Sequence, residues 1–243
     1  MKSVRQRTAG FTLCGRRRSY RTNRLLIATG IFHLPPKIHG VKECLGHSMF
    51  FCKDCDGYRV RGKRIAICGA NNEAAEYALG MLSYSACVIV ATNGEKPRWD
   101  RQHSAWLKEY EIPVYREKIT RVEHHGCQVR ALRLKGKAEV RIDYIFTTRG
   151  DIFHTRLAES LGARLDRDGQ IEVDQCMRTT VPRLYAAGCV TPANCQMIIA
   201  AGQGAAAAQA INRDLFEESL RTHSQRRLRE EQIEEERTVP EES

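Results

Sequence analysis

KRIAICGANNEAAEYALGML (63–82) decides how this chain folds. A short apolar run meets Gly69 and then a stretch of helical character, so the segment reads as strand, tight turn and helix. ACVIVATNG (86–94) supplies a second strand, which completes a βαβ unit. Such a turn presents backbone N–H groups and the positive end of a helix dipole to a phosphate. The dinucleotide fingerprint G-x-G-x-x-G/A reads here as Gly69-Ala70-Asn71-Asn72-Glu73-Ala74, with Asn71 at the middle glycine. The turn taken alone is equally consistent with an ordinary βα connection.

Before this unit, GFTLC (10–14) and RRSYR (17–21) alternate around a glycine turn and read as a hairpin. RLLIATG (24–30) is a buried strand ending in glycine, and 31–47, with Pro35, Pro36, Gly40 and Gly46, reads as an irregular crossover. After it come a helix near 100–110, β-rich segments through 113–147 and a helical stretch at 154–162. IEVD (171–174) and LYAAG (184–188) read as strands, and an Ala-rich helix runs from Gln196 towards Leu215. The polar segment 217–243 reads as a solvated helix fraying into a disordered end. The fold class is therefore α/β, a nucleotide-binding Rossmann-like βαβ core inserted into pieces of a second unit.

The chain has 243 residues, 42% hydrophobic and 28% charged, which are globular values. No apolar run is long enough to span a membrane, and MKSVRQRTAG has no apolar region behind its charges, so no secretory signal is expected. The net charge is +10, but residues 1–24 hold eight basic side chains and no acid, whereas 217–243 hold nine Glu and five Arg. No aromatic platform accompanies the arginines, which argues against nucleic-acid binding and for a solvated face or a phosphate-bearing ligand.

Ten cysteines without an export signal indicate a reducing, cytoplasmic compartment, and most of them, Cys68 and Cys87 for example, read as small buried hydrophobes. FFCKDCDGY (50–58) needs a separate account. Its CxxC pair can close a small disulfide ring, and the attacking thiolate of such a pair is often more acidic than free cysteine at about 8.5. Asp56, directly after Cys55, can give and take the proton that thiol–disulfide exchange requires. The competing readings are inert thiols or a zinc site from Cys44, His47, Cys52 and Cys55, although the spacing is short for a ribbon and no metal is expected. YAAGCVTPANCQMIIAAGQGAAAAQAI (185–211) is rich in small residues that let a helix lie against something flat or against another backbone.

In this order the ATG strand, CxxCDG, the βαβ unit and the AAG-x-V…Q…AA segment resemble the low-molecular-weight thioredoxin reductase family of flavoprotein disulfide reductases. The resemblance runs from about residue 10 to 216. It implies an FAD domain interrupted by an NAD(P)H domain: 1–47 as partial FAD-binding domain, 48–150 as the NAD(P)-binding-like domain with the CxxC, 151–216 as the FAD return segment and 217–243 as a charged tail. It also implies that Cys55 faces the flavin, that Cys52 attacks the external disulfide and that Asp56 handles protons. Thr29, Gly30, Gly188, Val190, Gln196 and Met197 would line the flavin, and Gly69, Asn72 and Glu73 would receive the nicotinamide nucleotide. Electrons would pass from NAD(P)H, NADH or NADPH, through FAD and the cysteine pair to a thioredoxin-like protein or a small disulfide. The family is usually homodimeric.

Four departures qualify that expectation. No G-x-G-x-x-G precedes residue 30, so the chain is expected to lack the family's N-terminal FAD segment. The family's GD pair reads Gly188-Cys189, and a neutral thiol does not replace a carboxylate's hydrogen bonds. Asn71 replaces a glycine, and Thr92-Asn93-Gly94 stands where a basic 2′-phosphate cluster belongs, with Arg98 and Arg101 offset. These departures keep two alternatives in play: a nucleotide-independent FAD dithiol oxidase, and a non-catalytic domain that retains only the fold.

Overall fold

The computed structural model describes residues 3–136, 139–148 and 150–238. In chain order, strands β1 (Ser3–Arg7), β2 (Gly10–Cys14), β3 (Ser19–Thr22), β4 (Leu25–Ile27) and β5 (Ile31–His33) come first. They are followed by β6 (Met49–Phe50), a single-turn helix α1 (Lys53–Asp56), β7 (Ile65–Cys68), α2 (Asn72–Met81), β8 (Val88–Ala91) and α3 (Arg101–Glu109). Next are β9 (Val114–Tyr115), β10 (Ile119–His125), β11 (Gln128–Leu134), β12 (Val140–Arg141) and β13 (Tyr144–Thr147). The chain closes with β14 (Asp151–Phe153), α4 (Arg156–Ser160), β15 (Leu184–Ala186), α5 (Met197–Arg221) and α6 (Ser224–Thr238). It forms two compact units, the contiguous stretch 33–152 and the remainder on either side of it.

The inserted unit is built on a five-stranded parallel sheet in the order β6-β13-β7-β8-β9. Both faces are covered, so its strands are apolar at nearly every position rather than alternating. In β7, Ile65 and Ile67 face a core shared with Ala74, Ala75, Ala78 and Met81 of α2 and Leu107 of α3. Ala66 and Cys68 face the other way, towards Val122, Val129 and Leu132 of the antiparallel β10-β11-β12 layer. Small residues on the buried stripe of α2 bring its backbone close to the sheet. At Gly69 the approach is so tight that a Cβ would stand 2.4 Å from Thr148 Oγ1 and 2.8 Å from Ala74 Cβ. Glycine is required there by space, not by φ.

The flanking unit holds the antiparallel meander β1-β2-β3 and the parallel pair β4-β15. Val4, Phe11, Ile27, Ala158, Ile171, Leu184, Ala186 and Val190 form its core. An ion network fastens α5 to this core: Arg178 forks onto Asp214 at 2.6 and 3.0 Å, Tyr185 donates its hydroxyl to the same carboxylate, and Arg24 and Arg183 both reach Glu218.

Several sequence expectations are corrected. Cys87 is exposed, because it precedes β8 instead of lying inside it, whereas Cys68 within β7 is buried. IEVD forms no ladder: it makes isolated bridges, Leu165 with Ile171 and Val173 with Thr179, and Asp174 turns the chain by accepting the Cys176 and Arg178 N–H groups. The basic start adds an unexpected strand, β1, and the crossover contains β5 and a short 3-10 turn at Lys42–Cys44. Segment 33–47 lies with the inserted unit. The polar tail is helical through α6, and its final residues fall outside the described ones.

Candidate functional site

The cysteine pair sits where β6 gives way to α1. Cys52 and Cys55 are joined by a disulfide, with Cα atoms 5.3 Å apart. Cys52 has extended backbone and caps α1, its sulfur accepting the Cys55 N–H at 3.0 Å. Cys55 is exposed and Cys52 half-buried. Asp56 follows directly. Burial pushes its carboxyl above the ordinary carboxylate range, against the weaker pull of Arg59, whose guanidinium is 3.8 Å away. A carboxyl shifted that way holds a proton at higher pH and can donate it.

Sequence reading missed the residues around this loop. Tyr77 of α2 donates its hydroxyl to Phe51 O at 3.0 Å, and Lys53 lies over the Tyr77 ring at 5.8 Å. His33 stacks on Phe51 with ring centroids 4.8 Å apart, and its Nδ1 is 2.5 Å from Asp151 Oδ1. Burial, with Glu73 and Asp54 nearby, drives the Tyr77 phenol up to about 12, so it stays protonated. No local pattern encodes the contact of Tyr77 with the CxxC loop, because its partners Phe51 and Lys53 lie about 25 positions away. For the zinc alternative, the two CxxC sulfurs are bonded to each other. Among the described residues no three His, Cys, Asp or Glu side chains gather as a metal site.

The turn at 69–74 does not match what a dinucleotide needs. Asn71 is the N-cap of α2: its Oδ1 accepts from Ala74 N–H and from the Thr148 hydroxyl, both at 3.1 Å. Asn72 is held by the loop after β8, donating to Asp100 Oδ2 at 3.2 Å and accepting the Asp100 N–H at 2.8 Å. Glu73 lies in the first turn of the helix. Burial, together with Asp151 and Glu76, raises its carboxyl above the ordinary range. The residues of this turn do not fit a pyrophosphate.

In the flanking unit the residues expected around a flavin are divided. Gly30, at φ +66°, has nothing within 4 Å of where a Cβ would stand, and Met197, at the start of α5, is 89% exposed, just after the N-cap Gln196. Both positions are thus open. Gly188 has φ +79°, and its N–H donates to Gln203 Oε1 at 2.7 Å. Thr29 donates its hydroxyl to His154 O, and the Val190 side chain is wholly buried in the core. Gln203, the single polar side chain in Ala-Ala-Gly-Gln-Gly, was legible as the exception in an otherwise small-residue run.

Comparison with known proteins agrees with this architecture. The family model described as pyridine nucleotide-disulphide oxidoreductase matches residues 2–210. The chain is 26% identical over 200 residues to thioredoxin reductase of Listeria innocua, covering 79% of this chain and 62% of that protein. It is 29% identical over 212 residues to an alkyl hydroperoxide reductase subunit of Pseudomonas putida, covering 84% of this chain and 40% of that protein. It thus spans less than two thirds of the length of these curated relatives. The solved structure of HlmI superposes with a TM-score of 0.84 at 25% identity, over 93% of this chain and 72% of that one. The chain belongs to the pyridine nucleotide-disulphide oxidoreductase family.

Proposed function

We propose that Cys52 and Cys55 are the redox pair of a dithiol–disulfide oxidoreductase acting on a thioredoxin-like protein or a small-molecule disulfide or dithiol. The observation that carries this reading is the closed Cys52–Cys55 disulfide at the start of α1, with the Cys55 N–H on the Cys52 sulfur and Asp56, its carboxyl pKa raised by burial, beside it. In the reduced pair, the Cys52 thiolate attacks one sulfur of an external disulfide and releases the other as a thiol. Cys55 then attacks Cys52 Sγ, frees the second substrate thiol and re-forms the disulfide. Asp56 supplies a proton to a departing thiolate and recovers it from the Cys55 thiol. The external disulfide gains two electrons, both from the cysteine pair, and two protons, one from the Cys55 thiol by way of Asp56 and one taken up from water by the last thiolate released.

Gly30, Gln196 and Met197 would hold FAD in the flanking unit, and that group, when bound, exchanges two electrons at a time with a thiol pair. The exposed Met197 side chain, in the first turn of α5, would supply the apolar contact to its ring. Among the described residues no helix is long and apolar enough to cross a membrane.

The test is to trap the mixed disulfide. A Cys55→Ser chain treated with Ellman's reagent and mapped by peptide mass is expected to carry the adduct on Cys52, formed at least about tenfold faster than on exposed Cys87 or Cys127. Equal rates at the three sites, or faster capture at Cys55 in the Cys52→Ser chain, would reverse the assignment.

A further inference from the structure

The strand–turn–helix of the inserted unit has the layout that receives a pyridine dinucleotide, yet its own side chains and loop stand in the place of the ligand. The fingerprint needs bare backbone at its middle position so that the pyrophosphate can approach. Here Asn71 fills that position and turns its amide onto the helix start, accepting from Ala74 N–H and donating to Thr148 O at 3.4 Å.

The loop after β8 adds a second obstruction. Arg98 N–H donates to Ala70 O at 2.6 Å, and Asp100 and Asn72 exchange two hydrogen bonds across the mouth of the turn. Asp100 in turn caps α3 through His103 N–H at 2.9 Å.

Charge also opposes a pyrophosphate here. A pyrophosphate brings negative charge to the α2 N-terminus, where the helix dipole would welcome it. That end already carries Glu73 in the first turn and the Asp100 carboxylate on Asn72, with Glu76 one turn on. His103 lies between Asp100 and Glu76, 2.8 and 3.2 Å from their oxygens, and answers those carboxylates rather than a ligand. The Arg98 guanidinium points to Glu95 at 3.7 Å.

We propose that Asn71, Glu73 and the Asn72–Asp100 clasp exclude pyridine dinucleotides, and that the Cys52–Cys55 disulfide takes its electrons from an external dithiol. This rests on the redox reading of that pair. One donor thiolate attacks a sulfur of the Cys52–Cys55 bond and forms a mixed disulfide. The second donor thiolate displaces it. The donor leaves as a disulfide, oxidised by two electrons, and its two protons end on Cys52 and Cys55.

Calorimetric titration of the full chain with NADH and with NADPH is the test, read alongside the fluorescence of Trp99, next to Asp100 in the chain, and of Trp106 on α3. Neither nucleotide is expected to bind up to about 1 mM, the upper end of ordinary substrate affinities. Saturable binding of either below that level overturns the proposal. The Asn71→Gly/Glu73→Ser chain is expected to bind at least about tenfold more tightly than the wild type. An unchanged affinity in that variant removes the role given to those two residues. In a parallel arm, alkylation mass mapping follows Cys52 and Cys55 after dithiothreitol, or after NADPH with added FAD. Opening of the pair by NADPH overturns the exclusion. Failure of dithiothreitol to open it sinks the redox reading and leaves the nucleotide result standing.

Discussion

Replacing Asp214 by alanine removes the carboxylate that ties α5 to the core of the flanking unit. Arg178 forks onto it, and the hydroxyl of Tyr185, a residue only 1% exposed, donates to it. The Arg178 fork, with help from Tyr185, holds the Asp214 carboxyl down at about 2. Against an unfolded value of about 3.9 this difference corresponds to about 2.6 kcal/mol. The side chain is 23% exposed, so solvent screening reduces the figure to about 1.5 kcal/mol. The buried Tyr185 hydroxyl left without its acceptor adds about 1.5 kcal/mol. A total near 3 kcal/mol corresponds to a fall in Tm of about 6–12 °C. Asp214→Asn keeps one acceptor and is expected to lose about half as much.

The native carboxyl pKa is depressed, so the contribution is complete above about pH 4 and disappears as pH falls towards 2. The alanine variant should therefore approach the wild type in acid. Calorimetry and far-UV circular dichroism report the change. Both tryptophans lie in 33–152, so their fluorescence reads the inserted unit. A Tm shift under about 2 °C at pH 7, or a difference that grows below pH 4, would refute the reasoning.

Two further expectations follow from the inserted unit. Gly69→Ala should destabilise it by about 3 kcal/mol, because the new methyl meets Thr148 Oγ1 at 2.4 Å and Ala74 Cβ at 2.8 Å. Urea melts followed by tryptophan fluorescence should show part of that loss recovered in the Gly69→Ala/Thr148→Ala double variant, and strict additivity would be the adverse result. Asp56→Asn should slow disulfide exchange about 100-fold at acidic pH, with a deficit that narrows as pH rises past the raised Asp56 pKa and the wild-type carboxyl itself loses its proton. Stopped-flow rates from pH 5 to pH 9 measure this, and a pH-independent deficit would contradict proton donation.

The parts of the fold that were legible in the sequence are those fixed by local pattern. Residues 63–94 announced β7, α2 and β8 because a strand buried on both faces is apolar throughout, and the helix stripe of Ala74, Ala75, Ala78 and Met81 has one period. The CxxC loop announced its disulfide by spacing. What remained hidden depended on distant partners. β6 and β13 flank one another in the sheet although nearly a hundred residues separate them, and nothing near Met49 signals this. IEVD had strand composition but found no ladder, since side-chain turns at Asp166 and Asp174 took its neighbouring N–H groups. Cys87 looked interior by composition but lies one residue before the strand begins. In the candidate site, the identity of Asn71 and Glu73 was visible, whereas the clasp from Asp100, 28 positions from Asn72, was not.

The two ends of the inserted unit meet within it: Leu34 N–H donates to Gly150 O at 3.1 Å, and His33 reaches Asp151. This closure has a consequence for the order of folding. The flanking unit must bring together β4 and β15, which lie on opposite sides of the roughly 120 residues of 33–152. If that stretch is still a coil, pairing β4 with β15 closes a very long loop. Once it has folded, its joined ends shorten the effective loop to a few residues and lower the closure cost by about 3 kcal/mol. The insertion thus acts as a splint: it folds as one unbroken segment and then delivers the two halves of its neighbour to each other, which makes the flanking unit the later and slower of the two to form.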